Sequence, residues 1–139
     1  MDRFENESHL ERENKAITLF TSKHGLTFKK LGDNDIDFQI FRGESLIGFV
    51  EVKGRHESMA NAYPLPIAIR KLNKLQGERF PRLNPIIIWA CDDGIIYGYL
   101  TALEGRTKYG GRAPRKGSTN DQELMAYYEA QESLHHESY

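Results

Sequence analysis

Two stretches, Asp35-Ile36-Asp37-Phe38-Gln39-Ile40-Phe41 and Ile47-Gly48-Phe49-Val50-Glu51-Val52-Lys53, decide how this chain is read. Side chains alternate faces along a strand, so Asp35, Asp37 and Gln39 share one side and Ile36, Phe38 and Ile40 the other. The same rule puts Glu51 and Lys53 on one face. Gly43 with Glu44 and Ser45 stands where a hairpin turn is needed, and antiparallel pairing then sets Asp37 beside Glu51. Two facing carboxylates repel unless a cation lies between them, and a divalent ion such as Mg²⁺ takes its oxygen ligands from one or two carboxylates plus water. A Glu and a Lys two apart are commonplace on solvated strands. Here, however, they end the apolar run Leu46-Ile47-Gly48-Phe49-Val50, which reads as a strand covered on both faces. The hairpin therefore reads as a metal site with a lysine beside it.

The 139 residues fit one compact domain and carry a net charge of −1, which excludes a globally basic nucleic-acid binder. Any polyanion affinity must be local. The single cysteine, Cys91, excludes an internal disulfide and points to a reducing, cytoplasmic compartment. No stretch reaches the length of a membrane span, and the polar N-terminus suggests neither insertion nor secretion.

The periodicities predict an α/β domain, a mixed sheet of four to five main strands flanked by helices. Leu10, Ile17 and Phe20 at helical spacing predict a helix over about 7–24 stopped by Gly25, with Glu13 on its apolar stripe. A short strand is expected at 27–31 and a mobile or functional loop at 54–63. A helix from 65 or 66 to about 76 is expected to present Arg70, Lys71 and Lys74 on a basic face. The run 85–91 is the strongest buried-strand signal, and Gly94 turns it into a second hairpin through Leu100. For 123–128 the alternation of Leu124, Ala126 and Tyr128 favours a strand. The tail at about 129–139, with His135 and His136, is expected to fray.

From Arg106 to Lys116 five cations, Arg106, Lys108, Arg112, Arg115 and Lys116, occur with Tyr109 and no acid. Cations without counter-charges favour a polyanion nearby, so this segment is expected to be a basic, nucleic-acid-binding loop at about 105–118.

Asp37 with Glu51-Val52-Lys53 resembles the core of the PD-(D/E)XK nuclease superfamily, and the whole pattern resembles its small phage-encoded members. The family's proline before the aspartate is absent, Ile36 standing in its place. The likeness extends through Tyr63, Pro64, Lys71 and the 85–91 strand with Asp92 and Asp93. It implies a restriction-endonuclease-like core and Mg²⁺-dependent hydrolysis of phosphodiester bonds, with Mn²⁺ as substitute. Asp37, Glu51 and the carbonyl of Val52 would hold the metal, and Lys53 would serve the chemical step. By position on the first helix Glu13 would complete the site, with Glu11 as fallback, and Lys71 would touch a phosphate. The expected partner is nucleic acid, DNA first, cut structure-selectively or nonspecifically to leave a 5′-phosphate and a 3′-hydroxyl. No membrane partner is expected, and homodimerisation is left open. The competing readings are a non-catalytic nucleic-acid-binding module that keeps the nuclease fold, and a structural protein whose charges are merely solvated.

Overall fold

A computed structural model describes residues 3–32, 37–75, 85–111 and 122–139. Helix α1 (Arg3–His24) leads into β1 (Thr27–Lys30), β2 (Phe38–Arg42), β3 (Ser45–Gly54), β4 (Leu65–Ala68), α2 (Ile69–Leu75), β5 (Pro85–Ala90), β6 (Gly94–Tyr99), β7 (Arg106–Gly111), β8 (Gln122–Tyr128) and β9 (His135–Ser138). The fold is α/β, with a six-stranded sheet in the order β1-β2-β3-β5-β6-β9 and a three-stranded sheet in the order β4-β8-β7. Among the described residues only β3 and β5 pair in parallel, in the middle of the larger sheet. Strands so placed are covered on both faces, which is why their sequences are nearly continuous apolar runs.

The two faces of the large sheet carry separate cores. On one side Ala16, Ile17 and Phe20 of α1 pack against Phe38, Ile40, Val50, Val52, Ile86 and Ile88. On the other, Phe49, Ile87 and Trp89 meet Leu65 and Ile67 of β4, Leu72 and Leu75 of α2, and Ala126 and Tyr128 of β8. Trp89 Nε1 donates to the carbonyl of Pro66 at 2.8 Å and so joins the two sheets. Two glycines are required by their backbone. Gly25 (φ 66°) ends α1, with the Leu26 N–H reaching back to the Thr21 carbonyl at 2.8 Å, and Gly43 (φ 61°) opens the two-residue turn between β2 and β3.

Several expectations need correction. The main sheet has six strands, not four or five, and a second sheet accompanies it. Leu65–Ala68 is a strand, because Leu65 and Ile67 also alternate and β8 offers a ladder partner; the helix begins only at Ile69. Segment 54–63 is a held connection: Arg55 Nε donates to the Ala62 carbonyl at 2.9 Å, and the Arg55 and Asp92 amides bond the Ala90 and Glu57 carbonyls. The tail does not fray. Its residues His135–Ser138 pair with β6, which would otherwise present an open edge. Leu10 is exposed, so the buried stripe of α1 is Ala16, Ile17 and Phe20. Finally, the first part of the basic segment, with Arg106 and Lys108, is strand β7 and not loop. Asp35, Arg112, Arg115 and Lys116 lie outside the described residues.

Candidate active site

The β2–β3 hairpin builds the site. Its register pairs Phe38 with Val50 and places Asp37, one step further on, against Glu51. Phe49 belongs to the core beneath β4 and α2, so Glu51 and Lys53, two and four residues on, face the same way. Glu51 is 3% exposed, and among the described residues neither of its carboxylate oxygens has a hydrogen-bond partner. A carboxylate so enclosed is expensive to bury with only an ion pair to offset the lost hydration. Lys71 Nζ, on α2, stands 3.4 Å from Glu51 Oε1, and Asp37 is held by the Val52 N–H, which donates to its Oδ2 at 2.8 Å. Burial, then the Asp37 carboxylate, push the Glu51 carboxyl up to about 8, with Lys71 pulling against them. A buried, proton-hungry carboxylate beside a second carboxylate is a donor set that a hard divalent cation satisfies by displacing the proton.

Glu51, Val52 and Lys53 form one wall of a small cleft of about 80 Å³. The facing wall consists of Ile67 and Ala68 at the end of β4, Arg70 and Lys71 at the start of α2, and Glu123 and Met125 of β8. Within that wall Arg70 Nε and Glu123 Oε2 pair at 3.1 Å, joining α2 to β8. Lys53 is exposed at the rim. The expected Asp37, Glu51, Lys53 and Lys71 are thus gathered at one place.

Glu13 approaches the acid pair from the α1 side. It is half-buried, its carboxyl raised by burial and by the charge of Asp37, and Lys30 Nζ lies 3.5 Å from its Oε2. Glu11 is exposed and lines a hollow beside Glu13. Among the described residues no three His, Cys, Asp or Glu side chains are grouped so as to hold one ion. Arg106 and Lys108 lie on β7, Arg106 pairing with Glu129 at 3.3 Å. Asp92 and Asp93 serve structure: Asp92 pairs with Arg12 at 3.0 Å, and Asp93 accepts the Met59 N–H at 2.8 Å. Sequence reading missed Glu123 and Met125 as cleft residues. Nothing local marks them, since they reach the site only through the pairing of β8 with β4.

A buried hairpin carrying Asp37 and Glu51-Val52-Lys53, on a mixed sheet between a long helix and a second layer, defines a PD-(D/E)XK nuclease-like protein. The family described as "phage putative PDDEXK endonuclease" matches residues 1–134, and the chain belongs to it. No curated protein and no solved structure matches the chain. Among the described residues no helix is long and apolar enough to cross a membrane.

Proposed function

We propose that this protein hydrolyses phosphodiester bonds in nucleic acid, DNA first, with Mg²⁺ held by Asp37 and Glu51 and with Mn²⁺ as a working substitute. The observation that carries the reading is Glu51: a carboxylate buried with the Lys71 ammonium 3.4 Å away, beside a second acid and open to a cleft. When bound, a divalent cation supplies polarisation of the scissile phosphate and acidification of a water. The chain's own groups do the rest. The Val52 N–H fixes Asp37, leaving the Val52 carbonyl as a further oxygen ligand. Glu13, close enough to Asp37 to feel its charge, is the third acid, acting through water. Lys53, at the rim, orients the attacking water or meets the charge developing on the phosphate, as a mobile ammonium can. Lys71 stands 3.4 Å from Glu51 in the resting site and would hold a phosphate oxygen when substrate enters.

The test is incubation with supercoiled, linear, branched and single-stranded DNA and with RNA, under Mg²⁺, Mn²⁺ or chelator. Metal-dependent cleavage that is lost in Glu51→Gln is the expected result. Cleavage that survives chelation, or that survives Glu51→Gln, refutes the assignment. Binding without cleavage under every metal would identify a binding module on the nuclease fold.

A further inference from the structure

Strand β7 pairs with β8 alone, over Arg106 to Gly111 and Gln122 to Tyr127, whereas β8 meets β4 only from Met125 to Tyr128. Among the described residues, 122–124 therefore have β7 as their only ladder partner, and this end of the small sheet is a two-stranded ribbon. Pairing fixes its faces. Gly110, Lys108 and Arg106 share one face with Glu123, Met125 and Tyr127; Tyr109 and Thr107 share the other with Leu124 and Ala126. The first face adjoins the catalytic cleft, because Glu123 and Met125 line it together with Glu51 and Lys53.

On the opposite face Ala126 is buried in the core, but one step outward the cross-strand pair Tyr109 and Leu124 is 70% and 37% exposed. An apolar pair left in water at the end of a ribbon contributes nothing to the core. Strand β7 carries no acid, and Lys108 pairs with no acid among the described residues. The ribbon thus has a cleft-lining face with an available cation on one side and an exposed aromatic ring on the other. Both fit single strands of a polyanion: a phosphate backbone along the first face, a base stacked on the second.

We propose that the β7–β8 ribbon parts the strands of a nucleic acid at a duplex to single-strand junction. One strand passes Lys108 into the cleft, and Tyr109, backed by Leu124, stacks on the first unpaired base of the other. The inference rests on the nuclease reading above and names its substrate class as forked or flapped nucleic acid.

The test compares a blunt duplex with a fork of the same sequence, carrying 2-aminopurine as the first unpaired base, in Ca²⁺ to suppress turnover. Wild-type protein is expected to quench the 2-aminopurine on binding. Tyr109→Ala should lose the quench and bind the fork roughly 5- to 150-fold more weakly, the range given by one base stacked on one aromatic side chain. Its affinity for the duplex should stay within about twofold, and Tyr109→Phe should keep both quench and fork affinity. A Tyr109→Ala variant that loses duplex and fork affinity equally, or neither, overturns the inference while leaving the nuclease reading intact. Wild-type protein that binds neither substrate overturns both.

Discussion

The β2–β3 hairpin and the β7–β8 ribbon are both antiparallel pairs bearing charged side chains on one face, yet they differ in surroundings. The first lies inside a six-stranded sheet with a core on each face, so Glu51 is enclosed and loses its hydration. The second stands at the rim of a three-stranded sheet, where Lys108 and Tyr109 meet water. Burial raises the proton affinity of a carboxylate and leaves it seeking a cation, whereas exposure leaves a cation to act only through screened, long-range attraction. On the proposed reading the difference divides labour: chemistry at the buried hairpin, holding at the exposed ribbon.

Mutations should separate the two regions. The largest effect is expected at the hairpin, where Glu51→Gln should slow cleavage by about 10³-fold or more, the scale of losing a preorganised charge at a reacting centre. The folded state should be spared or made more stable, since the change removes a buried acid facing Asp37; the checks are a cleavage time course and a denaturant melt. Lys53→Ala should cost about 10²- to 10³-fold in the chemical step with metal affinity retained, measured by single-turnover cleavage beside a metal titration. A loss of metal affinity equal to that of Glu51→Gln would instead make Lys53 a structural partner of the acids.

For the basic residues that follow β7 in sequence, effects should be smaller and appear in binding. Replacing Arg112, Arg115 and Lys116 together with alanine should flatten the log–log salt dependence of DNA affinity by roughly two to three units, because each lost phosphate contact releases one fewer set of counterions. A salt series in Ca²⁺ measures it; an unchanged slope would make the segment an ordinary solvated one and erase the contrast.

A separate effect, on stability and not on cleavage or binding, concerns pH. Burial and the neighbouring Asp37 push the Glu51 carboxyl up to about 8, against 4.5 for an unperturbed glutamate. Between these values the folded state holds a proton that the unfolded chain has lost, so metal-free stability should fall as pH rises from about 4.5 to about 8. Saturating divalent cation should take the proton's place and remove most of that fall, and Glu51→Gln should remove it without metal. Melting temperatures across this range, with and without Mg²⁺, provide the check. A metal-free protein equally stable across the range would place Glu51 in a less hostile setting than its burial indicates.

The sequence alone was enough to set Asp37 beside Glu51. Strand alternation, the Gly43 turn and antiparallel pairing bring Asp37 to Glu51 through contacts close along the chain, and an apolar run around a charged pair signals enclosure. The long first helix, the 85–91 strand and the hairpin after Gly94 follow from equally local patterns. What escaped it depended on partners far away in the chain. Leu65–Ala68 reads as well as a helix start as a strand until β8 supplies its ladder, and His135–Ser138 is a polar tail until β6 offers an edge. Glu123 and Met125 enter the cleft, and Tyr109 is left outside the core, only because β8 lies between β4 and β7. Local periodicity records which way a side chain points, whereas the second sheet, the far wall of the site and the ribbon beyond it are set by which distant strand edges found each other in the folded chain.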